Sequence, residues 1–393
     1  MPKNKNFFVI AVIAVVNALG YGIIIPILYS YSQRFGMSDF DNGLLFATFS
    51  IFQFLATPII GRLSDKYGRK PLLMISIAGT ALSFVMMALA RNSAWLFAAR
   101  ALDGATAGNI SVASAVMSDM TKPEERAKGF GIIGAAFGFG FVFGPAISAA
   151  MVGLSLSAPF WLAAAVTVAA LGLTIFWLKE TNTHMGQAAH HGPLFNIPKL
   201  FHALFDENIG TTMVVSLLFS FAISMFIYAY QPFSVRVLGF SAQQISLNFM
   251  LFGLVSLITQ AILIPRIVVR AGDRKSLSGA LALAVATFAG FFLVRSVWPF
   301  VIVSIFHSMA NGFINPLIQT LLSKETDAAS QGSIMGISAS IVSVGMIVGP
   351  IVGGFLATVA TPLPFLAGSF VTAICFLLSF QIMRKAHIAR VEI

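Results

Sequence analysis

Apolar residues run along this chain in blocks of about twenty, the length a helix needs to cross a bilayer core, and most polar residues collect between the blocks. Twelve blocks can be drawn. Six run Phe7 to Leu28, Gly43 to Ile60, Leu72 to Ala90, Trp95 to Met117, Gly129 to Val152 and Phe160 to Leu178. Six more run Thr211 to Phe233, Ile245 to Ile264, Leu277 to Val294, Pro299 to Leu322, Ser333 to Leu356 and Leu363 to Met383. The pattern predicts an all-α membrane protein with twelve transmembrane helices. The longest polar connection lies between Lys179 and Asn208 and contains His184, His190, His191, Gly192, Pro193 and Pro198, the composition of a linker. The expected organisation is a six-helix bundle over residues 1–180, a linker over 181–208 and a second six-helix bundle over 209–393.

Composition agrees with that picture. Of 393 residues 58% are hydrophobic and 10% charged, and the mean hydropathy of +0.89 does not fit a water-exposed surface. A net charge of +10 would suggest nucleic acid only if the basic residues shared one wet face, and here they sit between apolar runs. Sorting the connections alternately puts nineteen Lys and Arg on one side, only Arg34, Arg91, Arg236 and Arg295 on the other, and Arg100 within a span. By the positive-inside rule both termini then lie in the cytoplasm. Lys3 and Lys5 precede the first block as in a signal peptide, but no small-residue cleavage site follows, so the block is read as helix 1. The lone Cys375 excludes a disulfide framework, a cysteine zinc site and an iron–sulfur cluster. The His190–His191 pair has no carboxylate or thiol at ligand spacing, so no metal or cofactor is expected.

The two halves repeat. Gly61 to Lys70, after helix 2, lines up at an offset of 204 with Pro265 to Arg274, after helix 8. Gly131, Gly140, Gly144 and Pro145 of helix 5 recur at an offset of 205 as Gly336, Gly345, Gly349 and Pro350 of helix 11. A six-plus-six repeat gives two pseudo-symmetric halves of the same orientation, and such proteins bind substrate near the midplane at the repeat interface.

These residues resemble the major facilitator superfamily, and within it the twelve-span drug:H+ antiporter branch of tetracycline and multidrug exporters. The run Gly61-Arg-Leu-Ser-Asp65-Lys-Tyr-Gly68-Arg69-Lys70 is similar to the superfamily signature after helix 2. Arg100-Ala-Leu-Asp103-Gly104 is similar to the arginine motif of helix 4, with Asp where glutamine is common. Helix 5 resembles the antiporter motif, with Ser148 and Ala149 where two glycines are usual; helix 11 keeps Gly353 and Gly354. The resemblance implies the major facilitator fold, alternating access, a bacterial inner-membrane location, and a latch role for Asp65 with Gly61, Gly68, Arg69 and Arg126. An acid common in helix 1 of the family is replaced by Asn17 in the stretch Asn17 to Gly22, which includes Tyr21.

The residues themselves suggest how each group works. Asp65, among cations, can pair with Arg69 or Arg126 and can face a helix N-terminus, and Gly61 and Gly68 suggest a tight turn with close backbone approach. The small residues of helix 5 allow close helix packing, and Pro145 bends the helix. Arg100 and Asp103 lie three residues apart, nearly on one face and well inside a span, where each charge costs about 2.5–3.5 kcal/mol on the insertion scale. A buried acid beside a guanidinium can carry the coupling proton; the same residues also make a static brace. Asn17 reads as a substrate hydrogen-bond donor or as glue between helices. A neutral polar lining is expected from Gln53, Tyr228, Gln231, Gln260, His307, Asn311 and Asn315, with Ser220, Ser224 and Gln319 on the same stripes, and an aromatic one from Phe137, Phe141 and Phe252.

The function expected is therefore a monomeric, proton-coupled exporter of amphipathic small molecules. A sugar or metabolite exporter, a glycolipid flippase and a uniporter are the alternatives. No GxxxxGK[ST] loop supplies ATP, and an intramembrane enzyme would need a nucleophile–base pair or a metal cluster that the spans lack. A fixed pore suits the glycine–proline helices less well than rocking halves do.

Overall fold

The computed structural model describes residues 2–121, 126–182, 197–327 and 330–391, and among these every regular element is helical. The first half comprises α1 (Pro2–Ile24), the short α2 (Leu28–Ser32), α3 (Asp39–Tyr67), α4 (Arg69–Ala88), α5 (Ser93–Thr106), α6 (Asn109–Met120), α7 (Arg126–Val152) and α8 (Ala158–Trp177). After α9 (Ile197–Leu204) the second half comprises α10 (Gly210–Arg236), α11 (Ala242–Ile258), α12 (Ile264–Ala271), α13 (Asp273–Leu293), α14 (Val297–Lys324), α15 (Gln331–Val359) and α16 (Leu363–Val391). The linker histidines His184, His190 and His191 lie outside the described residues.

Eleven helical segments among the described residues are long and apolar enough to cross a membrane. The expected helix 4 is not a single helix: it breaks at Ala107 and Gly108 into α5 and α6, each too short to span alone. The break falls where α3 presses in. A Cβ on Gly104 would meet Phe52 Cβ at 2.9 Å, and one on Gly108 would meet the Ile60 side chain at 2.6 Å. The expected helix 8 is also irregular, since a π-helical turn, Thr259–Leu263, joins α11 to α12.

The expected loop after helix 2 shrinks to one residue. α3 stays helical as far as Tyr67, and α4 starts at Arg69, so the reversal rests on Gly68 at φ +105°, a conformation that penalises any Cβ. Gly272, at φ +78°, repeats the device between α12 and α13. Gly61 takes no part in the turn: it lies within α3 with nothing near a Cβ position, so no backbone approaches it.

The helix-5 and helix-11 glycines split by position. A Cβ on Gly144 would meet Gly22 Cα at 2.7 Å, and Gly140 is closed off by Ala18, so α7 lies backbone-to-backbone on α1. Gly345 and Gly349 do the same for α15 against Ser220, Phe221 and Ser224 of α10. Gly131 and Gly336 face open space and contribute nothing to either seam. Small residues replace the missing hydrophobic force between helices in lipid by allowing close contact. α7 and α15 remain helical through Pro145 and Pro350.

Contacts divide the chain into two compact units. One holds Met1–Met37, Thr48–Phe195 and Ser241–Met250; the other holds Ser38–Ala47, Asn196–Phe240 and Leu251–Ile393. The start of α3 therefore packs with the second unit and the start of α11 with the first. The second unit has an aromatic core, with Phe226, Phe233, Phe288, Phe291, Phe300 and Phe365 all fully buried.

Candidate functional site

In the first unit, the break below α5 leaves Arg100 and Asp103 on its last turns, 4% and 6% exposed. Arg100 Nη1 donates to Asp103 Oδ2 at 3.1 Å. The guanidinium carbon stands 4.5 Å from the centre of the Phe49 ring, a cation–π contact that partly replaces lost hydration. Tyr21 packs on Phe49 at 6.2 Å and edge-on to Phe141 at 5.9 Å, and Phe141 is 44% exposed. On the other side, Ser83 of α4 lies beside Asp103, its hydroxyl donating to the Thr80 carbonyl at 2.7 Å. Among the described residues Arg100 Nε has no hydrogen-bond partner. An acid in a dry span beside one cation and one hydroxyl is chemically able to take up and release a proton.

Asn17 Oδ1 accepts from Asn109 Nδ2 at 2.8 Å, tying α1 to α6 inside the bundle. Phe137 packs against the apolar core of the first unit, and Gln53 is half-buried on α3.

In the second unit, Tyr228, Gln231 and His307 are almost wholly buried. Tyr228 donates to the Asp39 carbonyl at 2.6 Å, and Ser224 of the same stripe donates to the Gly345 carbonyl at 2.9 Å. Ser220 and Ser224 of that stripe lie directly against Gly345 and Gly349 of α15. His307 Nδ1 meets the Thr287 hydroxyl at 2.9 Å, and its ring is boxed by Phe226, Phe288 and Phe291 at 4.2, 4.7 and 5.5 Å. Phe252 stacks on Phe226 at 5.8 Å and stays partly exposed. Asn315 and Gln260 are exposed and Asn311 half-exposed, with Asn315 donating to Asn311 at 3.0 Å and Gln260 to Ser256 at 3.1 Å.

A polar network closes the Asp65 end of the first unit. Arg69 reaches Asp65 at 2.5 Å, Asp119 at 3.1 Å and the Ser64 hydroxyl at 2.7 Å. The exposed α4 N-terminus does not receive Asp65, as the sequence allowed. Its first amides, of Arg69 and Lys70, donate instead to Glu180, at 2.9 and 3.0 Å. Partial burial pushes the Glu180 carboxyl up, but the amides of Asn182, Arg69, Lys70 and Thr181 together outweigh it and hold it below the usual carboxylate range. The Arg126 side chain lies outside the described residues. The second unit repeats the arrangement, with Arg274 reaching Glu325 at 3.4 Å and Lys324 paired with Asp273. Asp119, Glu180 and Glu325 escaped the sequence reading because each lies far from its partner in the chain. The common offset, near 205, that relates Arg69 to Arg274 and Asp119 to Glu325 was the available signal.

Repeated helix seams, a charge cluster in each unit and a buried ion pair within a span define a polytopic membrane transporter rather than an enzyme. The model of the Major Facilitator Superfamily matches residues 10–294 and 212–390, and the chain belongs to that family. It is 30% identical over 365 residues to the class C tetracycline resistance protein of Escherichia coli, covering 90% of this chain and 89% of that protein. It is 27% identical over 378 residues to multidrug resistance protein 2 of Bacillus subtilis (strain 168), covering 94% and 93%. Among solved structures, a bacterial homologue of the human lysosomal transporter Spinster, inward-facing and unoccupied, superposes with a TM-score of 0.78 over 98% of both chains at 15% identity, a likeness of fold.

Proposed function

We propose that this transporter exports amphipathic small molecules in exchange for protons, as a monomer in a bacterial inner membrane with both termini in the cytoplasm. Asp103 binds the coupling proton and Arg100 tunes it. The buried Arg100–Asp103 pair carries this reading, because a span holds two such costly charges only for a task. Tyr21, Phe49 and Phe141 put an aromatic wall beside the pair, suited to an amphipathic ligand. The similar tetracycline and multidrug resistance proteins bear their substrate classes in their names, which supports the same class here. Asp65, with Gly68, Arg69 and Asp119, forms a latch at the cytoplasmic end that is made in one state of the cycle and released in the other.

A second reading is favoured by the neutral amides Asn311, Asn315 and Gln260, which would suit a sugar or another hydroxylated substrate. Reconstitution in liposomes with an imposed pH gradient separates the two, with a cationic dye, a neutral antibiotic and a sugar followed in parallel. Gradient-driven dye or antibiotic movement that disappears in Asp103→Asn is the expected result. Sugar movement would select the second reading, and equilibration indifferent to the gradient would identify a uniporter.

A further inference from the structure

The first unit holds a small pocket that the transport reading does not use. Ile13 and Asn17 of α1, Ile77 and Thr80 of α4, Asn109 of α6 and Thr167 of α8 line it. It leaves ≈ 10 Å³ for the centre of a water-sized molecule, room for one water. Thr80 and Asn109, 6% and 3% exposed, both line it, and among the described residues Thr80 Oγ1 and Asn109 Oδ1 are buried without a hydrogen-bond partner. Two orphaned polar atoms on the wall of one pocket of that size call for a ligand that can donate to both. A water molecule does so with its two protons. A metal cation would need charged or more numerous oxygen ligands than these neutral groups offer.

Two of its lining residues, Ile13 and Ile77, belong to an apolar cluster that includes Ile10, Leu73, Val112 and Met117. A third, Thr80, belongs to the turn of α4 in which the Ser83 hydroxyl donates to the Thr80 carbonyl at 2.7 Å, and Ser83 lies beside the Asp103 carboxylate.

We propose that this pocket binds one ordered water that bridges Thr80 and Asn109, and that it positions the Thr80–Ser83 turn against Asp103. The water joins the Asn17–Asn109 pair to α4, so that the hydroxyl facing the carboxylate is held by a connected polar chain rather than by a loose helix turn. Its part in coupling rests on Asp103 being the proton carrier; its binding does not.

Radiolytic hydroxyl-radical footprinting of the full chain in lipid nanodiscs tests the site, because a bound water labels the side chains that touch it even when they are buried. Rapid labelling of Ile13 and Ile77 with protection of Ile10 and Leu73 is expected. That labelling is lost in Thr80→Val and kept in Thr80→Ser, and gradient-driven export slows in Thr80→Val more than in Thr80→Ser. Background labelling of Ile13 and Ile77 in the native protein overturns the site. Loss of labelling in Thr80→Val with export equal to that of Thr80→Ser overturns its part in coupling. An Asp103→Asn protein that still exports down the gradient sinks the carrier assignment alone and leaves the footprint to be judged by itself.

Discussion

Arg236 clasps Asp39 with both terminal nitrogens, at 2.5 and 2.8 Å, joining the last turn of α10 to the first residue of α3. The Asp39 side chain is 2% exposed and that of Arg236 44%. Asp39 also opens a helix, where its charge is favoured by the dipole, and its carbonyl accepts from Tyr228 at 2.6 Å. Two bonds from a planar fork and one from a phenol fix the start of α3 to the second unit, where Gly43 lies against the Pro350 carbonyl.

Arg236→Ala is expected to remove the forked partner of the buried Asp39 carboxylate. Breaking a fully buried pair costs about 3–5 kcal/mol, and the exposure of Arg236 reduces this to about 1–2 kcal/mol. Thermal unfolding of the purified protein should fall by several degrees, and Arg236→Lys, which keeps the charge without the fork, should fall in between. An Arg236→Ala protein as stable as the native one would show that the clasp contributes nothing.

Gly144 and Gly131 belong to one helix and one motif but meet different surroundings. Ala at Gly144 drives a methyl into Gly22 and should destabilise by about 1–3 kcal/mol, as overpacking does. Ala at Gly131 meets nothing and should be neutral or stabilising by up to about 1 kcal/mol through helix propensity. Melting temperatures of the two variants should move in opposite directions or differ clearly; equal losses would mean that the α1–α7 seam is not the constraint.

Asp119 shares Arg69 with Asp65, and both acids are partly exposed, so either pair alone contributes about 1 kcal/mol or less. If the cluster is a latch, its effect is on rate rather than stability. Asp119→Asn should slow transport several-fold, as Asp65→Asn should, with little change in melting temperature or substrate affinity. Unchanged turnover in Asp119→Asn would confine the latch to Asp65 and Arg69.

The spans, the repeat and the intramembrane ion pair were legible because each is written in local composition or at a fixed offset. The Gly68 turn was legible for the same reason, as a glycine between two apolar blocks. What stayed hidden depends on contacts between distant helices. Nothing local at Gly108 tells that α3 will press there and split helix 4. The stripe of Ser220, Ser224, Tyr228 and Gln231 has the spacing of a cavity wall, yet the α15 glycines bring that helix against Ser220 and Ser224, and Tyr228 donates to the start of α3. Gly61 shows the converse, a signature residue that has the expected neighbours in sequence and none in space.

Glu180 gives a prediction with a sign. Its carboxylate accepts the first two amides of α4 and those of Thr181 and Asn182, and these hold its proton affinity down against partial burial. A carboxyl whose folded value is depressed stabilises the fold above its unfolded value, ordinarily about 4.3, and loses that contribution as pH falls through the lower folded value. Glu180→Gln offers an uncharged oxygen to the same amides and should melt earlier than the native protein near neutral pH. The gap should narrow steadily below about pH 4.3, where the native carboxylate also takes up a proton. A gap that stays constant from neutral to acid pH would mean that shape, not charge, anchors the start of α4.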